Sequence, residues 1–127
     1  MLDDLTVDTL IKHWSDGWNT PDLETIMAPF TPDVVFSSPF VPKLTGDPTT
    51  LTITGHDALR SYIRYALDAV PGIRYELDAS FVGTETLVLV YTCHNPDGST
   101  RPGSDCMRVN GVGLVAEWRC HYDRGPL

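Results

Sequence analysis

The sequence predicts one α+β domain over residues 1–127: a bent antiparallel sheet with three helices on its concave face, shaped as a cone-like α+β barrel. Three observations carry this. Before Pro71 the apolar residues follow helical spacing, with caps and breaks that mark three helices. After Pro71-Gly72 the pattern changes to alternation and stays so. The chain has 127 residues, 42% hydrophobic and 20% charged, which suits a single modest core.

Val7, Leu10, Ile11, Trp14 and Trp18 form the stripe of the first helix, with Asp3, Asp4 and Asp8 near its positive end. Asn19-Thr20-Pro21-Asp22 stops it. Thr20 is the expected cap of a short second helix, roughly Asp22 to Ala28, with Pro21 in its first position. Asp33-Val34-Val35-Phe36-Ser37 reads as a strand closed by Pro39. The stretch from Val41 to Thr54 holds Pro42, Gly46 and Pro48. It reads as a loop and candidate lid, with a short extended piece at Leu51–Ile53. Gly55-His56-Asp57 opens a third helix, whose stripe is Leu59, Tyr62, Ile63, Ala66, Leu67 and Val70.

Four strands follow: Ile73 to Val82, Thr86 to His94, and a final hairpin. Asn95-Pro96-Asp97-Gly98 turns the chain between them. In the hairpin Asn110-Gly111 is the expected turn, because both residues accept positive φ. Alternation puts Asp105, Met107 and Val109 on one face, and Trp118, Cys120 and Tyr122 together on the return strand. A carboxylate beside Met107 and Val109 is costly unless neutral or hydrogen-bonded. Helices over a bent sheet leave a conical pocket, apolar with a few convergent polar groups.

The formal net charge of −8, with nine scattered basic residues, argues against a nucleic-acid surface. No apolar run is long enough to span a bilayer. The acidic start Met-Leu-Asp-Asp is unlike a signal peptide. Cys93, Cys106 and Cys120 form an odd set without CxxC spacing, so they read as reduced thiols of a cytoplasmic protein.

Four stretches together are specific for a fold: Trp18-Asn19-Thr20-Pro21-Asp22-Leu23, Phe30 to Pro39, Gly55-His56-Asp57-Ala58-Leu59, and Arg108-Val109-Asn110-Gly111 with Glu117-Trp118-Arg119. Over nearly its whole length the chain resembles the nuclear transport factor 2-like superfamily, in the branch of ketosteroid isomerase and the SnoaL-like polyketide cyclases. That superfold hosts isomerases, dehydratases, cyclases, epoxide hydrolases and binding domains. Ketosteroid isomerase combines an aspartate base with an oxyanion hole of a tyrosine and a protonated aspartate. The resemblance implies that Asp105 stands at the oxyanion-hole acid, Trp14 at its tyrosine and Ser38 at the base. It is also similar to limonene epoxide hydrolase, with Cys120 at a catalytic aspartate and His94 to Pro96 where that family has Arg-x-Asp.

The expected catalytic residues are Asp105 and His94. Asp105 would be a neutral acid polarising a ligand oxygen; its plainer reading is a solvated carboxylate at the sheet edge. His94 is the substitute base. It shares a face with Val88, Val90 and Thr92, and the resemblance turns that face toward the pocket. Its plainer reading is the solvated end of a strand. Trp14, Ser38, Phe40, Tyr62, Trp118 and Cys120 are the expected substrate-binding residues. Ser38 also suits a backbone role before Pro39, and Cys120 suits a small core hydrophobe better than a nucleophile. His56 and Asp57 read as a helix start, so neither metal nor cofactor is expected.

Three function classes remain. The leading one is a cofactor-independent isomerase, lyase or cyclase acting on an apolar carbonyl- or hydroxyl-bearing molecule such as a steroid, terpene or polyketide. The others are a non-catalytic binder of small apolar ligands and a dimeric interaction module. An open pocket where Asp105 and His94 converge favours the first, and a pocket closed by packed tryptophans favours the third. A homodimer is expected through the convex sheet face, where Tyr91, Arg108, Arg119 and His121 should lie.

Overall fold

Six strands form one curved, unclosed sheet in the computed structural model, which describes residues 1–125. The elements are α1 (Asp4–Asn19), α2 (Leu23–Met27), β1 (Phe30–Ser37), α3 (Val41–Thr45), β2 (Thr52–Thr54), α4 (His56–Ala69), β3 (Arg74–Val82), β4 (Thr86–His94), β5 (Thr100–Val109) and β6 (Val115–Tyr122). The sheet order is β2-β1-β6-β5-β4-β3. Every pairing is antiparallel except β1 with β6, which is parallel and departs from the all-antiparallel expectation. Register shifts within the β3–β4 and β5–β6 pairs interrupt the ladder. Such shifts bend strands and help make one face concave.

The helices begin where their caps allow. Asp3 caps α1 by accepting from the Thr6 N–H at 2.7 Å. Asp22, not Thr20, caps α2, accepting from the N–H groups of Glu24 and Thr25. Gly17 lets α2 lie directly on α1: a Cβ there would come within 2.6 Å of an Ile26 side-chain carbon. Val7, Leu10 and Trp14 of α1 and Leu59 and Ile63 of α4 bury against Phe36, Leu89, Met107 and Trp118 of the sheet. Arg60 of α4 pairs with Glu24 of α2 and ties the two helices together.

Asn19, the last residue of α1, holds the sheet edge by a two-way contact. Its side-chain amide donates to the Tyr75 carbonyl at 2.9 Å and accepts from the Tyr75 N–H at 2.6 Å. It thereby satisfies backbone groups on edge strand β3 that have no strand partner.

Three local expectations are corrected. Residues Val41 to Thr45 of the expected loop form α3, and its helical start carries Pro42 where proline is tolerated. β5 begins at Thr100, so the residues before Ser104 also alternate across the sheet. The last hairpin does not turn on positive φ at Asn110-Gly111. Gly113 takes that conformation at φ 84°, and the Asn110 side chain accepts from the N–H groups of Val112 and Leu114. Asn110 thus organises the loop through its side chain.

Candidate active site

A cavity of about 330 Å³ opens between the concave face and the helices. That volume lies in the small-molecule range. Much of its wall is aromatic: Trp14 and Trp18 from α1, Phe36 from β1, Tyr62 from α4, Tyr75, Tyr91, Trp118 and Tyr122 from the sheet, with Phe40 at the mouth. The rings brace one another, with Phe36–Trp118 centroids 4.7 Å apart, Phe40–Tyr122 4.6 Å and Trp14–Tyr91 5.1 Å. Such pairs hold side-chain positions as well as burying area.

Asp105 lies at the inner end. It faces Leu89 of β4 and Cys120 of β6 across the ladder, and only 2% of it is exposed. The Tyr91 hydroxyl donates to its Oδ1 at 2.9 Å. Burial pushes the Asp105 pKa above the ordinary carboxylate range, and nearby hydrogen-bonding groups of Trp118, Tyr91, Cys120 and Trp14 pull back against that rise. The Trp118 indole N–H is among those groups, yet it is buried and completes no hydrogen bond. A buried donor without a partner is rare, and here it adjoins a ligand-sized space.

Tyr91 fits because its cross-strand neighbour is glycine. A Cβ on Gly103 would lie 2.9 Å from the Tyr91 ring. Burial, and then the charge of Asp105, push the Tyr91 hydroxyl far above its ordinary pKa, so it remains a donor. Tyr62 is pushed up to about 12, chiefly by burial. Tyr75 and Tyr122 are raised for the same leading reason. The interior is therefore rich in neutral donors and carries one acid.

The mouth has a different character. Lys43 of α3, Asn95 and Arg101 of β5 line it beside Phe40 and Tyr122. The Arg101 guanidinium sits 5.1 Å from the Phe40 ring centroid and 6.0 Å from that of Tyr122.

A model of the SnoaL-like domain matches residues 11–118. The chain belongs to the SnoaL-like domain family. That family lies within the nuclear transport factor 2-like superfamily and includes isomerases and cyclases. No curated protein matches the chain. Among solved structures, a SnoaL-like protein of unknown function from Burkholderia thailandensis is 21% identical, with a TM-score of 0.81 over 97% of this chain and 99% of that one. TerC, co-crystallized with polyporic acid, is 16% identical, with a TM-score of 0.76 over 93% and 91%. A candidate isomerase of the SnoaL-like family from Agrobacterium tumefaciens is 17% identical, with a TM-score of 0.73 over 94% and 98%. Likeness at these identities establishes the shared fold.

In this SnoaL-like domain, Asp105, Trp14, Ser38, Phe40, Tyr62, Trp118 and Cys120 all line the one cavity. His94 does not. Leu87, Leu89, Tyr91 and Cys93 are the buried, concave residues of β4, so His94 falls on the convex face with Val88, Val90 and Thr92. There its Nε2 lies 3.2 Å from Glu76 Oε1. Asp105 and His94 therefore do not converge. Tyr91, expected on the convex face, is instead the hydrogen-bond partner of Asp105. Both corrections have one cause: β4 is apolar on both faces, and alternation alone did not set its phase.

Ser38 accepts from the Phe40 N–H at 3.2 Å, the backbone role, while also lining the cavity. Burial raises the Cys120 thiol well above its ordinary pKa, with Asp105 adding to the effect. It is a neutral thiol, unsuited to act as a nucleophile. Among the described residues, no three His, Cys, Asp or Glu side chains gather as a metal site requires, and no helix is long and apolar enough to cross a membrane.

Proposed function

We propose that this protein is a small cofactor-independent enzyme of the isomerase, lyase or cyclase type, acting as a homodimer on an apolar carbonyl- or hydroxyl-bearing molecule. The observation that carries the reading is Asp105, a buried acid of raised pKa held by Tyr91 at the inner end of an aromatic cavity. Desolvation keeps it neutral to higher pH than an ordinary carboxyl group, and the neutral form can give a proton. TerC, a similar fold, was co-crystallized with polyporic acid, which supports a ligand in this cavity.

The chemistry follows from these groups. A ligand carbonyl oxygen sits by Asp105 and the free Trp118 indole N–H. Asp105 gives its proton to that oxygen. The carboxylate left behind accepts the Tyr91 hydrogen bond, then takes a proton from the carbon next to the carbonyl. The carbonyl has become an enol and Asp105 has its proton back. Return of a proton to another carbon of a conjugated system gives an isomer, and attack of the enol carbon on a second carbonyl closes a ring. In this reading Asp105 takes over the proton transfer expected of His94. The packed rings leave the cavity open, which weighs against a purely structural interaction module.

Exchange of carbon-bound hydrogen tests this directly. Bicyclic and polycyclic ketones incubated with the protein in D₂O should exchange the hydrogens beside the carbonyl, as followed by proton NMR. Asp105→Asn keeps a hydrogen-bond donor but cannot carry a proton, so it should lose exchange nearly as fully as Asp105→Ala. The Ala variant should lose on the order of 3 kcal/mol of barrier lowering. Tight binding without exchange would make the protein a non-catalytic binder, and equal rates in wild type and Asp105→Ala would remove Asp105 from the mechanism.

A further inference from the structure

The chain is acidic, with seventeen Asp and Glu residues against nine Lys and Arg. Its cavity is not. Among the described residues Asp105 is the one carboxyl group in the lining, and it is deep and biased toward its neutral form. The charges at the mouth are Lys43 and Arg101. Among the described residues, neither has a carboxylate within ion-pair distance. Two cations without acid partners among the described residues, lining the cavity of a strongly anionic protein, are placed where a ligand can rest against them.

Arg101 is also held in position. Extension of β5 back to Thr100 puts Arg101 in the same alternating series as Gly103 and Asp105, so it belongs to the cavity side of the strand. Phe40 and Tyr122 flank its guanidinium. Cation–π contact fixes the group without consuming its N–H donors. Its charge also reaches inward: Cys93, its partner across the ladder, lines the cavity, and the positive charge of Arg101 offsets part of the burial that raises that thiol to about 11.

We infer that the ligand of this cavity is an anion: an apolar ring system whose acidic group, a carboxylate or acidic enol, rests on Arg101 and Lys43 while a neutral oxygen reaches Asp105 and Trp118. The inference rests on the proposed use of the cavity and adds the charge and orientation of what fills it. The inner end recognises oxygen through neutral donors, and the mouth recognises negative charge. A neutral isostere would fill the same apolar wall and leave both cations without a counter-charge.

Matched pairs of naphthalene- and biphenyl-carboxylic acids and their methyl esters provide the probes, titrated calorimetrically at neutral pH and low salt. The acids should bind wild type about tenfold more tightly than the esters, and added salt should shrink that ratio. Arg101→Gln should bring the ratio to within about threefold, and Arg101→Gln with Lys43→Gln should abolish it. His94→Ala should leave it unchanged, because His94 lies outside the cavity lining and contacts Glu76. Circular dichroism establishes that each variant is folded. Equal binding of acids and esters to wild type overturns the anion inference and leaves the cavity reading standing. So does a preference that survives loss of both cations. Failure of every acid and ester to bind at millimolar concentration overturns both.

Discussion

Tyr91 donates to the carboxyl group of Asp105, Trp14, Trp118 and Cys120 stand near it, and together with the sheet they exclude nearly all of its water. Loss of water penalises the charged form far more than the neutral one, so the folded-state pKa lies above the unfolded one. At low pH both states hold the proton and Asp105 contributes no pH dependence. As pH rises through the ordinary carboxylate range, the unfolded chain releases the proton first and gains free energy that the folded chain does not. Stability therefore falls from the ordinary carboxylate pKa up to the raised one, and levels off above it. Asp105→Asn removes this titration. Its melting temperature relative to wild type should rise between acid and neutral pH, read by thermal denaturation across the range. A constant difference would show that Asp105 titrates normally. Tyr91→Phe acts through the same pair. It removes one donor that holds the Asp105 pKa down, so the pKa should climb further and the basic limb of the exchange rate should move to higher pH. Loss of this buried hydrogen bond should also cost about 1–3 kcal/mol in denaturant unfolding.

β4 shows at the element scale how the phase of one strand can be legible in the sequence and that of its neighbour not. Asp105 was legible because β5 alternates clearly, with Asp105, Met107 and Val109 buried and Ser104, Cys106 and Arg108 half-buried. β4 reads Thr-Leu-Val-Leu-Val-Tyr-Thr-Cys-His, and neither of its faces is polar enough to declare itself. The missing signal lay in the turn at Asn95–Gly98. A turn centred on Asp97 pairs residues equally distant from it, setting Leu89 opposite Asp105 and Tyr91 opposite Gly103. Directly paired residues share a face. The register thus brings Tyr91 to Asp105 and sends His94 away. Arg101 was missed for a related reason: Pro102 and Gly103 look like loop residues, while the ladder carries β5 back past them to Thr100. The helices were easier to read, since Trp14, Leu59 and Ile63 lie on stripes too wide to mistake. The corrected phase has a direct consequence. His94→Ala should leave ketone exchange unchanged and cost no more than about 1 kcal/mol of stability, because its contact with Glu76 is a surface pair. A large loss of exchange in this variant would return His94 to the mechanism.

At the scale of the whole molecule, the bent sheet has two unlike sides. Its concave side packs on the helices and encloses the cavity, while its convex side carries Val88, Val90 and Cys106 near the middle, all half-buried within one chain. Arg108, Glu117 and Arg119 flank them, with ion-pair contacts of 3.4 Å from Glu117 to Arg108 and 3.9 Å to Arg119. An apolar centre with charges of both signs beside it can match a second copy turned through a two-fold axis. The homodimer we propose uses this face, now without Tyr91. It would leave the cavity mouths open, because Phe40, Lys43 and Arg101 belong to the other side of the sheet. Light scattering at micromolar concentration should therefore give twice the mass of the chain. Val90→Asp would place a charge at the apolar centre and should shift the protein to monomer with its far-ultraviolet circular dichroism intact. Exchange activity per chain should persist in that monomer, since every residue assigned to the chemistry comes from one chain. A wild-type monomer at that concentration would argue against the dimer, and an unchanged mass in Val90→Asp would place the interface elsewhere.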